Sequence, residues 1–215
     1  MKKMSKNEYL FSGIVLGLFI PVAIMIFVWW LLAVLTISRV VYIPDKYIMS
    51  SSLTGLSVGI IIDILALKKI IPKFYVLNKY LLIITYLFCS AVAVSSFMGI
   101  PIGNLFLGFM AGLYVGRKCY HLNQSHDHFS QNIKAVSTFT AFVTSSEGLL
   151  TGLLMLNDIS VIDSTNQFLG IQIFSANQIR NGAVIILLCI LLYVMQFFLS
   201  KAAVYLSYGI RTQSD

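Results

Sequence analysis

The stretch IPDKYIMSSSLTGLSVGIIIDILALKK, Ile43 to Lys69, decides the fold. Proline opens it, no charge interrupts it between Lys46 and Asp63, Gly55 and Gly59 stand about one helical turn apart, and Lys68 and Lys69 close it. A helix needs roughly 20 mostly apolar residues to cross a hydrocarbon core about 30 Å thick. The segment from about 47 to 67 meets that need and ends where charge resumes.

The same pattern recurs at about 10 to 37, 80 to 98, 100 to 116, 134 to 156 and 182 to 203. Composition demands it: 58% of the 215 residues are hydrophobic and 11% are charged, which leaves more apolar surface than a water-facing domain can bury. The expected fold is an all-α membrane protein, a bundle of six transmembrane helices forming one polytopic domain over residues 1–215. Only Gly99-Ile100-Pro101 separates the short fourth run from the third, so a re-entrant pair competes with two full spans there. The start Met1-Lys2-Lys3-Met4-Ser5-Lys6 looks like the basic end of a signal peptide, but the apolar run behind it is far longer than the ~7–15 residues of such a peptide, which predicts a retained helix.

Basic residues set the direction. With the N-terminus inside, Lys2, Lys3, Lys6, Lys68, Lys69, Lys73, Lys79, Arg117, Lys118, Lys134, Lys201 and Arg211 fall on the cytoplasmic side, leaving Arg39, Lys46 and Arg180 outside. Both termini are therefore expected in the cytoplasm, and the chain in a cell membrane, a prokaryotic inner or plasma membrane. Topology and anionic inner-leaflet lipid account for the net charge of +7, so nucleic acid is not an expected partner; the bilayer is, together with a membrane protein partner or a second copy. Cys89 and Cys189 fall inside expected spans and Cys119 on the reducing side, which argues against a disulfide framework.

The opening stretch has a twin, IPIGNLFLGFMAGLYVG, Ile100 to Gly116. Pro44 to Gly55 and Pro101 to Gly112 are both 11 residues, and Gly59 and Gly116 each follow 4 later. A shift of 57 residues superposes the two, as a duplicated helical hairpin over about 23–66 and 80–123 in parallel orientation would. Weak similarity outside the signature leaves chance recurrence as the other explanation. Glycines four apart at Gly13 and Gly17, at Gly55 and Gly59, at Gly108, Gly112 and Gly116, and at Gly148 and Gly152 point to close helix packing, with a glycine-lined solute path as the alternative.

Ionisable groups at membrane depth cost at least about 2.5 kcal/mol on insertion scales and mark function by default. Two fall inside expected spans, Asp63 and Glu147. Ser52, Gly55, Gly59 and Asp63 share one helical face, and Arg117 on the twin helix stands at a matching height, which makes Asp63 and Arg117 candidates for a structural ion pair. Glu147 lies 13 residues beyond Lys134, roughly 20 Å above the inner boundary. Ser137, Thr140, Thr144, Glu147 and Thr151 form one polar stripe that must face protein or water. Either the hydroxyls bond back to their own helix while Glu147 is neutral or pairs with Arg180, or the stripe lines a solute or proton site with Asn104 and Arg180.

His121, His126 and His128 are competent metal ligands, but their spacing matches no structural zinc pattern and a solvated loop from Lys118 to Asn132 explains them equally. No cofactor motif is present. A single intramembrane aspartate, with no histidine in any expected span, leaves no pair for intramembrane proteolysis, so an enzyme is not expected and a membrane-embedded enzyme ranks third among the readings. Transport of a small solute or ion, or service as the solute-binding component of a transporter, is the expected function; a scaffold docking partner helices through glycine faces is the alternative.

Overall fold

The computed structural model describes residues 4–97, 101–156, 167, 170 and 178–209. The described residues are all-α, with no strand among them, and fall into two compact units, Lys3–Val76 and Leu77–Gln213.

The first unit is an antiparallel hairpin of α1 (Lys6–Ile37) and α2 (Asp45–Ile70), the latter tightening into a 3-10 turn over Ile71–Val76. Ser5 starts α1 through a capping box. Its hydroxyl accepts from the Glu8 amide at 3.3 Å and its own amide donates to the Glu8 carboxylate at 3.1 Å, so two otherwise orphaned donors are met. Pro44 sets the entry to α2, where its fixed φ suits the first turn and its missing N–H costs nothing. The two helices cross at Pro21 and Gly59, where a Cβ on the glycine would lie 2.4 Å from the Pro21 Cα. Gly17 faces Leu67 and Asp63, and Gly13 faces Ile71, which fixes the antiparallel register.

The second unit holds α3 (Lys79–Ser96), α4 (Ile102–His121), α5 (His126–Met155) and α6 (Gln178–Gly209). Asn78 caps α3 by accepting from the Tyr80 amide at 2.9 Å. Pro101 precedes α4 as Pro44 precedes α2, in both cases without a side-chain cap. α4 and α6 run parallel: Gly108 meets Gln196 and Ser200, Gly112 meets Ser200 and Ala203, and Gly116 meets Val204 and Ser207. α5 returns between them in sequence and packs antiparallel to α6, with Gly148 against Leu192 and Cys189 and Gly152 against Ile185. The twin signatures therefore share proline entry and glycine packing but use different partners, since Gly59 packs on the preceding helix and Gly116 on the last.

The segment Lys118 to Asn132, expected as a loop, is mostly helix. α4 continues to His121, α5 begins at His126, and the link is a tight turn. Asn123 makes this possible by adopting φ 50°, a region asparagine tolerates better than most residues. The Gln124 amide donates to the Cys119 carbonyl at 3.2 Å, and Asn132 donates to the Gln124 side chain at 2.7 Å, tying the turn to both helices. The outer segment Asn157 to Asn181 and the turn at Gly99-Ile100 lie largely outside the described residues.

Four helical stretches, Glu8–Ile37, Lys46–Val76, Lys79–Ser96 and Ile179–Gly209, are long and apolar enough to cross a membrane. α4 and α5, read from sequence as the fourth and fifth spans, are not in that set. The burial pattern explains the difference. Among the described residues, 14 polar or charged side chains are buried against 12 hydrophobic ones, while Leu18, Ile37, Ile64, Leu65, Leu187 and Phe198 are each at least 60% exposed. Water selects the opposite arrangement, and an apolar solvent selects this one. The buried polar residues are concentrated on α4, α5 and the facing side of α6, so the interior of the second unit is where polarity collects.

Candidate functional site

The site begins at Glu147 on α5. Its Oε2 accepts from the Ser90 hydroxyl on α3 at 2.7 Å and from the Asn104 side-chain amide on α4; the same amide also donates to Ser90 at 2.7 Å. Three helices thus converge on one carboxylate. Asn104 and Ser90 are fully buried. The carboxylate fixes the orientation of the Asn104 amide, because turning its oxygen toward Oε2 would set two acceptors face to face. Asn104 Oδ1 consequently points away and has no hydrogen-bonding partner among the described residues.

One turn along α4, at Gly108, the polar core continues onto α6. Gln196 occupies the space a side chain at Gly108 would need, and donates to the Ser200 hydroxyl at 2.9 Å. Ser200 in turn donates to the Gly108 carbonyl at 3.1 Å and meets the Thr140 hydroxyl of α5 at 2.8 Å. Gln196, Ser200, Thr140, Thr144 and Ser137 all have zero exposure. On the α3 side, the Tyr86 hydroxyl lies near Thr144 and the Glu147 carboxylate, and the Tyr86 ring tilts against Phe139 with centroids 5.3 Å apart. Ser137 Oγ and Gln196 Oε1 have no hydrogen-bonding partner among the described residues, and the Tyr86 and Thr144 hydroxyls face each other.

Of the residues singled out from sequence, Glu147, Asn104, Thr140 and Thr144 are brought together here. The stripe on α5 faces protein at Ser137, Thr140 and Thr144, and both expected behaviours coexist on it. Thr140 bonds back to the Val136 carbonyl at 2.9 Å while touching Ser200, and Thr151 bonds back to the Glu147 carbonyl at 2.9 Å. Arg180 is exposed in the first turn of α6, and the donors to Glu147 are Ser90 and Asn104.

Asp63 and Arg117 belong to different units, and each is described by its own surroundings. Asp63 is 5% exposed, packs toward Gly17, and leaves Oδ1 without a hydrogen-bonding partner among the described residues. Arg117 lies over the Tyr120 ring at 4.5 Å and donates to the Ser207 carbonyl at 3.3 Å. His121 is fully buried at the end of α4, whereas His126 and His128 are exposed in the first turn of α5. Among the described residues no group of three or more His, Cys, Asp or Glu side chains is placed to hold a metal, so the histidine cluster of the sequence is not a cluster in space. The cysteines are free.

Sequence reasoning missed Ser90, Tyr86, Gln196 and Ser200. For α6 the signal was present: Gln196, Ser200, Ala203 and Ser207 recur at steps of four, three and four, the small and polar counterpart of the glycines on α4. For Ser90 and Tyr86 there was none, because single hydroxyls in an apolar helix usually bond to their own backbone.

No protein family, curated protein or solved structure compared with the chain matches it. The class that fold and site define is an all-α protein with four helices able to cross a membrane and a polar interior around a carboxylate. Its function is read from that chemistry.

Proposed function

We propose that the chain is a multi-pass membrane protein of six spanning helices, both termini cytoplasmic, that binds and moves a small polar solute or ion through the core of its second unit, as a transporter or the solute-binding component of one. The observation that carries this reading is the convergence of Ser90, Asn104 and Glu147 from α3, α4 and α5 on one point. A carboxylate inside an apolar bundle is costly, and a fold that needed only packing would place leucine there. The unmet polar atoms that extend from it toward Gln196 give a solute something to bind.

The glycine faces favour transport over scaffolding. Gly55 and Gly59 are filled by Val28 and Pro21, and Gly108, Gly112 and Gly116 by α6, so these faces are occupied within the chain's own units. The test uses vesicles containing the purified protein, incubated with a small-metabolite extract and analysed by mass spectrometry of the lumen. Wild-type protein should accumulate at least one solute above empty vesicles, and Glu147→Gln should lose that accumulation. Equal accumulation by the two proteins would sink the proposal.

A further inference from the structure

We infer, building on the transport reading above, that the solute is a small protonated amine carrying a second hydrogen-bond donor about one helical turn, roughly 6 Å, from its charged end. Three observations lead there. The first is the sign of the site. The ionisable group at its head is the Glu147 carboxylate, and Arg117 lies 13 residues, roughly 20 Å, along α4 from Asn104, engaged with Tyr120 and Ser207. A carboxylate whose donors here are the neutral Ser90 and Asn104 side chains repels anions and attracts ammonium.

The second is the kind of valence left open. Every buried side-chain atom without a partner among the described residues is an oxygen; in this unit the Tyr86 and Thr144 hydroxyls face each other, which leaves Asn104 Oδ1, Ser137 Oγ and Gln196 Oε1 open. The two amide oxygens can only accept, and the hydroxyls can do either. A ligand that settles them must bring N–H or O–H donors.

The third is their spread. Asn104 and Gly108, which faces Gln196, are one turn apart on α4, and Ser137 to Thr144 covers roughly 10 Å of α5. Oxygen ligands of a metal ion gather within about 2.3–2.6 Å of one centre, so acceptors strung over two turns suit an elongated organic cation better than a bare ion. A diamine or an amino alcohol of four or so carbons has this shape.

The test is the thermal stability of the detergent-purified full chain with 1,4-diaminobutane, 1,4-butanediol, succinate and sodium chloride as probes at equal ionic strength. The diamine should raise the melting temperature saturably while the other three leave it unchanged. Glu147→Gln should abolish the shift, and Gln196→Leu should weaken diamine affinity by tenfold or more, since a lost hydrogen bond to a charged group is worth about 1.5–3 kcal/mol. A shift with sodium chloride alone overturns the amine in favour of an alkali ion, and a shift with succinate overturns the sign of the site. If no probe acts while extract uptake persists and still depends on Glu147, the amine is wrong and the transport reading stands. If both binding and uptake are absent, both fail.

Discussion

Replacing Gly112 by alanine adds one methyl group at a close backbone approach between α4 and α6. The new Cβ would stand 2.4 Å from the Ser200 carbonyl oxygen and 2.8 Å from the Ala203 Cβ, and neither neighbour is the end of a flexible side chain. Restoring ordinary contact moves the helices apart by roughly 1 Å, and a gap of that size forfeits about a quarter to a half of the dispersion energy of the flanking contacts. Overpacking of this kind costs about 1–3 kcal/mol. Stretching the Ser200 to Gly108 hydrogen bond, 3.1 Å in the native arrangement, adds up to about 1 kcal/mol. Against this, alanine returns about 1 kcal/mol of helix propensity. The expected net loss is about 1–3 kcal/mol, read as a fall in unfolding free energy in a mixed-micelle titration. Gly182→Ala is the internal control, because it makes the same exchange on α6 where nothing lies within 4 Å of the new atom. It should be neutral or stabilising by up to about 1 kcal/mol. Gly112→Ala at or above wild-type stability would refute the close approach of α4 and α6.

Ser90→Ala should cost about 1–2 kcal/mol in the same titration, since it strips a donor from the Glu147 carboxylate, whereas Ser95→Ala, whose hydroxyl bonds to the Ala91 carbonyl on an exposed face, should stay within about 0.5 kcal/mol. Asp63→Asn keeps the shape and removes the charge, so a buried carboxylate whose Oδ1 has no partner among the described residues predicts a gain of about 1–2 kcal/mol. A loss of that size would instead show that Asp63 has a cationic partner. For topology, a fluorescent protein fused at the C-terminus should fluoresce and a secreted phosphatase fused there should be inactive, with the reverse for insertions between residues 157 and 177. A fluorescent insertion in that outer segment would overturn the six-span arrangement.

Much of the fold was legible because helix punctuation is local chemistry. Pro44 and Pro101 start helices for reasons contained within a few residues, and Lys68 and Lys69 mark the end of the apolar run of α2, whereas the caps at Ser5 and Asn78 were not singled out. The turn at Asn123 was misread as part of a long loop because polar residues signal departure from lipid, and helices can leave lipid intact. At the site, Glu147, Thr140 and Thr144 were legible as one stripe on one helix. Their partners were not, since which face of α3 or α6 meets that stripe depends on the register between helices, and a stripe of small residues specifies register only once its partner is known.

That α4 and α5 lie outside the set of helices apolar enough to cross a membrane, and that the polar site lies on them, are two views of one property. Mean hydropathy averages every residue of a helix, whichever way it faces. α4 buries Asn104, Arg117 and His121, α5 buries Ser137, Thr140 and Thr144, and each of these lowers the average without facing the outside. In a helix packed only for stability such residues would be replaced by alanine or leucine at no loss, because apolar packing satisfies every atom and a half-met polar network does not. Their presence on facing sides of adjacent helices, with oxygens left open among them, means that the central helices of the second unit have given up hydropathy for an interior that can accept hydrogen bonds. The same reasoning makes a prediction about exchange. Replacing Ser137 by alanine and Gln196 by leucine together should raise the unfolding free energy, by about 1 kcal/mol or more, through removal of unmet oxygens. Uptake by the doubly substituted protein should fall. A variant that loses stability would show that these oxygens are already satisfied, by ordered water or a resident solute.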